Sequence, residues 1–423
     1  MNSGHNRLAR WPILLAVVGL AWFPSLGAAS EGGAFPVATP ESQGLSSEAL
    51  QELAGEVRGL FEAGRIVGAE LLVVKNRRTV LHESVGWKDL PEKVPMEPNT
   101  IFNIRSMTKP IVGTAVQMLI DDGRLSLDDR AAKFFPSFDN DKSGKITIDH
   151  LLTHRSGFPQ ASPPKPLTQY KTLRGLADYW GERGPDQFEP GNGFTYSDPG
   201  VDILGAIVTE VSGLPLERFV TQRLFEPAGM ADSFAMTRDF AAADNHDPRR
   251  RRISSNHTAS LEAWYRYWKP TDGPMAPFVK GSGTTWYSTP LDYARFLALW
   301  MDKGVVGGRR LLAEATVKRA LMPVSGMAYP TNFRGLHVFY GRLWILHAEG
   351  ESPGEAKPVV FGHAGSDGTW AWAWPKHDLM VLYFTQSRGN RTGILLESAI
   401  ERLLIEPTIT RNEAPDQPAA VDS

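Results

Sequence analysis

The spacing of apolar residues changes twice along this chain, and that double change restricts the folds open to it. Near the start, Ala69 to Val74 and Thr79 to Val85 are short runs rich in apolar and β-branched residues, joined by Lys75, Asn76, Arg77 and Arg78. That pattern predicts a hairpin. The middle then takes up helical spacing. Met107, Ile111, Val112, Ala115, Met118 and Leu119 mark a mostly buried helix ending near Gly123; Val201, Leu204, Ile207, Val208 and Val211 mark a second, stopped by Gly213; Leu216, Phe219, Val220 and Leu224 mark a third, closed by Pro227. In the last quarter, Gly341 to His347, Thr369 to Trp374 and Leu379 to Thr385 again read as strands, followed by a helix from about Thr392 to Leu404. The order strand, helix-rich stretch, strand predicts a sheet assembled from both chain ends, with a helical lobe inserted between them.

With 423 residues the chain exceeds the size at which one core stops growing, so two lobes are expected. The boundaries predicted are a sheet lobe over about 37–88 and 275–405 and a helical lobe over about 89–274. Ahead of the hairpin, Ser46 or Ser47 caps a helix carrying Leu50, Leu53, Val57, Leu60 and Phe61, ended by Gly64. Trp370, Trp372 and Trp374 alternate with Thr369, Ala371 and Ala373, which puts all three indoles on one face, as a core layer under a helix.

The first 29 residues read as an export signal: Arg7 and Arg10, an apolar stretch from Trp11 to Phe23, then small residues at Gly27, Ala28 and Ala29. The apolar stretch is shorter than the roughly 20 residues a membrane span needs. The expected location is periplasmic or secreted, with no membrane partner beyond export. From Glu406 to Ser423 the chain reads as a polar, disordered tail. There are no cysteines, hence no disulfide and no thiolate metal site. A net charge of −2 gives no reason to expect nucleic acid. The run Arg249 to Arg252 reads as a solvated loop. No His-Glu-x-x-His motif or ligand-spaced histidine cluster is present, so neither metal nor cofactor is expected.

Three stretches can carry chemistry. Ser106-Met107-Thr108-Lys109 opens the first buried helix, and a spacing of three puts hydroxyl and amine on one helical face. Serine alone is a poor nucleophile and needs a neighbouring base. A lysine partly desolvated beside it can lose its proton near neutral pH, which is the expectation for Lys109. Tyr196-Ser197-Asp198 precedes the second helix, and a tyrosine beside a lysine can serve as general base. His363-Ala364-Gly365-Ser366 precedes the tryptophan strand. There Gly365 lets a substrate approach the backbone, and the Ser366 N–H joins that of Ser106 in an oxyanion hole. His154, in the run DHLLTHRSG, reads as structural. Ser282 lies between Gly281 and Gly283, but Lys280 breaks the spacing of a nucleophile elbow.

Taken together, the Ser-x-x-Lys, Tyr-x-Asn-like and His-x-Gly elements resemble those of the serine β-lactamase and penicillin-recognising superfamily, most closely class C β-lactamases and family VIII carboxylesterases. The stretches DHLLTHRSGF (149–158), FEPG (188–191), FEPAGMAD (225–232) and GSGTTWYSTPLDYARF (281–296) extend the resemblance over nearly the whole chain from about Pro40 to Pro407. The resemblance implies an α/β plus all-α, β-lactamase-like fold with an antiparallel sheet flanked by helices. It implies that Ser106 is acylated, that Lys109 and Tyr196 share its proton, and that Tyr196 protonates the leaving group. Asp198 falls where the family usually has asparagine on the substrate's acyl side, and it supplies no N–H donors. His363 falls where lysine or histidine occurs and is mostly neutral at pH 7. The expected function is hydrolysis of a small ester or amide. The alternatives are a β-lactamase, a D-alanyl or D-amino-acid peptidase of cell-wall type, or a sensor that is acylated without turning over. The oligomeric state is left open.

Overall fold

The computed structural model describes residues 35–242, 246–260, 263–389 and 391–406. The signal-like segment 1–29, and all of the predicted tail except Glu406, lie outside the described residues.

The predicted hairpin forms from Gly68–Lys75 and Arg78–Asp89. Asn76 and Arg77 turn it with positive φ of 50° and 59°, as a two-residue turn matched to strand twist requires. Gly68–Lys75 also pairs antiparallel with Leu379–Thr385, with Leu72 opposite Leu382, and this pairing joins the two chain ends. The sheet so formed runs Ser325–Gly326, His337–Tyr340, Ile345–Glu349, Lys357–Ala364, Trp370–Trp374, Leu379–Thr385, Gly68–Lys75, Arg78–Asp89 and Val94–Pro95, every neighbour antiparallel. Four of these strands, Val94–Pro95, Ser325–Gly326, His337–Tyr340 and Lys357–Ala364, have no counterpart among the predicted runs, and the predicted run from Gly341 starts as a strand only at Ile345.

Helices cover both faces. Tyr383 hydrogen-bonds Thr392 at 2.9 Å, so its face meets the C-terminal helical segment. Trp370 is paired with Tyr383 and shares that face, its ring close against Gly393. The next residue along, Phe384, points the other way and meets Tyr293 of helix Pro290–Met301. The three tryptophans are buried as a core layer. The first helix, Ser47–Glu62, is capped by Ser46, whose side chain accepts the Ala49 N–H.

Between the sheet-forming ends lie helices Thr108–Asp121, Leu173–Arg183 and Asp198–Ser212, the last ended by Gly213 in the left-handed conformation. The intervening stretch is not wholly helical: Asn256–Ala259 and Trp264–Trp268 form a small sheet with Ser387–Arg388. The arginine run departs in part from its sequence reading. Arg249 to Arg252 lie in the 3₁₀ helix Pro248–Arg252, where Arg249 pairs with Asp247 at 2.5 Å and covers the Phe234 ring. Arg252 pairs with Asp232 at 2.7 Å and donates to the Asn99 carbonyl. Arg249 and Arg252 thus staple surrounding segments together, while Arg251 is exposed as expected.

Candidate active site

The nucleophile candidate sits where three segments are stitched together. Phe102 and Asn103 form a short strand against Tyr287 and Ser288, Asn103 Nδ2 donates to the Thr284 carbonyl at 2.6 Å, and Ile104 N–H to the Trp286 carbonyl at 3.0 Å. Ser106 follows in a 3₁₀ turn, Arg105–Met107, that leads into helix Thr108–Asp121. Arg105 holds φ at +46°, a conformation uncommon for a residue with a Cβ, so the turn is imposed by its surroundings. Those surroundings are specific. Arg105 Nε donates to Asp367 Oδ2 at 2.6 Å, and the same oxygen accepts from Tyr267 at 2.8 Å and from Asn256 at 2.6 Å.

Lys109 lies one turn from Ser106 and is fully buried. Its ammonium donates to Ser106 Oγ at 3.2 Å, Asp198 Oδ1 at 2.6 Å and the Ser282 carbonyl at 3.0 Å. The Tyr196 phenol faces Ser106 and Lys109, whose polar groups favour its ionised form, and the lysine nitrogen lies 4.7 Å from the centre of the tyrosine ring. The structure therefore brings the serine, the lysine and the tyrosine together from separate stretches of chain.

The electrostatics correct one sequence expectation. Burial is the largest single effect and lowers Lys109, but the Asp198 carboxylate and Tyr196 together more than offset it and hold the ammonium above the ordinary lysine range. Lys109 is not a free amine at neutral pH. Burial would likewise raise Asp198, yet Lys109 wins and keeps it ionised below the usual carboxylate range. Tyr196 is raised, by burial first; Lys109 opposes this and Asp198 adds to it. The phenol is therefore protonated at rest.

His363, the penultimate residue of strand Lys357–Ala364, lines the cleft, and burial, helped by the Lys109 charge, pushes it down to about 3. It is neutral. His154 is also buried and held well below the histidine range. Its Nδ1 accepts the Ser197 N–H at 3.2 Å and its Nε2 faces Tyr340 Oη at 3.1 Å, which in turn lies 3.4 Å from His363 Nε2. The assignment that satisfies this chain makes each histidine a neutral tautomer, His154 donating through Nε2 and Tyr340 donating to His363. Its consequence is structural: the backbone after Tyr196 is tied to the His363 strand.

Gly365 lines the cleft and is also needed by the protein's own packing. A Cβ there would lie 2.7 Å from the Ile104 carbonyl, so the glycine makes room for the protein's own nucleophile turn. Gly283 does the same from the other side, with φ of +135° and a built Cβ 2.6 Å from the Arg105 carbonyl. Ser366 and Ser106 both line the cleft. The cleft holds about 720 Å³; Phe194, Met327, Tyr329, Ile345, Trp370 and Ile394 give it an apolar wall, and Arg388 and Arg391 add cationic groups. A second groove of about 460 Å³, bordered by Leu173, Leu216 and Phe278, contains none of these groups.

Arg105, Asp367, Tyr267, Asn256 and Tyr340 are absent from the sequence-derived candidates. Arg105 and Asp367 each adjoin a candidate, Ser106 and Ser366, and that adjacency was the available signal. Tyr267, Asn256 and Tyr340 carry no local signature.

A sheet closed by both chain ends, with Ser-x-x-Lys opening a buried helix beneath it, defines the serine β-lactamase and penicillin-recognising class. Residues 53–403 match the Beta-lactamase family, and the chain belongs to it. It is similar to Protein Rv1367c of Mycobacterium tuberculosis, at 28% identity over 368 residues, 78% of this chain and 88% of that one. Among solved structures it is similar to EstCE1, a hydrolase with promiscuous acyltransferase activity (TM-score 0.68, 19% identity, 83% of this chain and 98% of that one). It is also similar to the D-amino acid amidase of Ochrobactrum anthropi SV3 (TM-score 0.67, 22% identity, 87% and 100%). At these identities the structural likenesses establish the shared fold.

Proposed function

We propose that this chain is a serine hydrolase that acylates Ser106 with a small ester or amide and then releases the acyl group to water. The observation that carries the reading is the 3.2 Å hydrogen bond from Lys109 to Ser106, with the Tyr196 ring over the lysine nitrogen, at the edge of an apolar cleft of about 720 Å³. Ser106 attacks the carbonyl, Lys109 handles its proton, and Tyr196, protonated at rest, delivers a proton to the leaving group. The N–H groups of Ser106 and Ser366 receive the developing oxyanion. The names of two structural neighbours, a hydrolase and an amidase, support the same class of reaction. Neutral His363 supplies no fixed cation for a substrate carboxylate, which favours esters and simple amides over penicillins.

One observation favours a second reading. Arg388 and Arg391 line the cleft and can attract a substrate carboxylate, as in a β-lactam or a D-alanyl peptide. A panel of a short-chain nitrophenyl ester, a chromogenic cephalosporin and a D-alanyl dipeptide separates the two. The proposal expects steady turnover of the ester and little of the others. Preference for the cephalosporin or dipeptide moves the assignment to the second reading. A single stoichiometric burst without turnover would make the protein an acylated sensor.

A further inference from the structure

The connection between strands Ser325–Gly326 and His337–Tyr340 places Met327 and Tyr329 in the cleft wall, while Ala328, Asn332 and Arg334 of the same stretch are exposed. Beyond Tyr329, backbone N–H groups of this connection turn to the C-terminal helical segment. Asn332 N–H donates to Glu397 Oε2 at 2.6 Å, and Arg334 N–H to Glu401 Oε1 at 3.2 Å. The Thr331 hydroxyl donates to the same Glu397 oxygen at 2.9 Å, and Asn332 Nδ2 to the Ile394 carbonyl at 2.8 Å. Phe333 adds an apolar anchor against Trp374 and His347. Glu397 is wholly buried, a costly place for a carboxyl unless its bonds fasten something. We propose that Glu397 is the latch that holds the connection 327–336 against the cleft, a positioning residue that sets how well the site grips long apolar substrate chains. The inference rests on the acyl-enzyme reading above and deepens it.

The bonding makes this latch sensitive to charge. Both donors meet Oε2, whereas Oε1 has no hydrogen-bond partner among the described residues. The Trp370 indole, on the adjoining cleft wall, faces the carboxyl without closing a hydrogen bond to it. A neutral carboxyl satisfies Thr331 and Asn332 through Oε2 and keeps its proton on Oε1. An ionised one leaves a charged oxygen buried and unsatisfied, which is the unfavourable case. Lifting the connection, whose outer side already meets water, hydrates that oxygen. Burial accordingly raises the carboxyl to about 7, so the latch loosens as pH rises through that value.

The titratable groups around Glu397 leave this dependence to it. Tyr329, on the connection, is raised to about 12 by burial first and stays neutral. His347, on strand Ile345–Glu349, meets Thr331 Oγ1 at 3.2 Å through Nδ1 and is pushed down to about 3 by burial. Tyr383, on the sheet face beneath, bonds Thr392 and is raised by burial. On the C-terminal segment itself, Glu401 pairs with Arg334 at 3.1 Å, Arg402 pairs with Glu52 of the first helix at 2.8 Å, and Arg391 lies 5.8 Å from the Tyr329 ring.

The test measures KM for nitrophenyl acetate and nitrophenyl octanoate from about pH 6 to about pH 8.5 in the wild type and Glu397→Gln, with hydrogen exchange of the peptide spanning 327–336 followed alongside. An acetyl group is too small to fill a cleft of about 720 Å³, whereas an octanoyl chain reaches its apolar wall. In the wild type the octanoate KM rises roughly tenfold across the window at nearly constant kcat, and the acetate KM stays level. Glu397→Gln keeps an acceptor for both donors and cannot ionise, so its octanoate KM stays low and level, and above pH 7 its connection exchanges more slowly than that of the wild type. Equal changes for the two esters, or the wild-type pH dependence in the variant, would overturn the proposal. If Glu397→Gln does not fold, the wild type decides: an octanoate KM that climbs relative to that of acetate supports the latch, and a level ratio overturns it. Absence of any ester turnover in the wild type, with Ser106 unlabelled by a serine-reactive probe, would be failure of the hydrolase reading instead. Hydrogen exchange then judges the latch alone, and equal rates in the wild type and the variant above pH 7 overturn it.

Discussion

Arg105 Nε donates to Asp367 Oδ2 at 2.6 Å, and this buried ion pair ties the residue before the nucleophile candidate to the residue after Ser366. The pair thus adjoins both N–H groups proposed for the oxyanion hole, those of Ser106 and Ser366. Its side chains are almost wholly withdrawn from water, so removing one partner strands the other's charge.

Replacing Asp367 by alanine is expected to cost about 3 kcal/mol or more of stability, because Arg105 is left buried without its carboxylate. The variant Asp367→Asn keeps an acceptor for Tyr267 and is expected to fold, with kcat lowered roughly tenfold or more and KM little changed. Thermal melts and steady-state kinetics check both. A wild-type kcat in Asp367→Asn would remove the pair from any part in positioning.

Lys109→Ala and Tyr196→Phe separate proton handling from packing. The first removes the amine beside Ser106 and is expected to abolish turnover. The second keeps the ring against His154 and Tyr340 and removes only the hydroxyl, with an expected loss of roughly 100-fold or more in kcat. Circular dichroism should show both folded. Wild-type rates in Tyr196→Phe would leave Lys109 alone in the role.

Glu397 makes stability depend on pH. Burial raises its carboxyl from an ordinary 4.5 to about 7, even though the Asn332 N–H and the Thr331 hydroxyl donate to it at 2.6 and 2.9 Å. A raised carboxyl favours the fold while protonated. Its contribution is fully present below pH 4.5 and is lost as pH rises towards 7, a change of ~3 kcal/mol. Denaturant titrations over that window should show the slope in the wild type and its loss in Glu397→Gln. An equal slope in the variant would assign it to other groups.

The architecture was legible where one period ran undisturbed. The hairpin 68–89, the helices after Ser106 and Tyr196, and the tryptophan strand each announce themselves by local spacing and a stop residue. Strand Lys357–Ala364 did not, because its first two residues, Lys357 and Pro358, are exposed and its glycine breaks the run. Within the site, Ser106, Lys109 and Tyr196 lie in recognisable motifs. The protonation of Lys109 was not legible, because it depends on Asp198, 89 positions away, joining Tyr196 to offset burial. The same holds for Asp367, whose partners Arg105, Asn256 and Tyr267 come from distant segments that only the fold brings together.

The acyl-enzyme account is tested most directly by labelling the full chain with a serine-reactive fluorophosphonate, mapping the modified peptide and repeating the reaction with Ser106→Ala. The account predicts one adduct, on Ser106, and neither adduct nor ester turnover in the variant. An adduct on another serine, or turnover retained by purified Ser106→Ala, would contradict it.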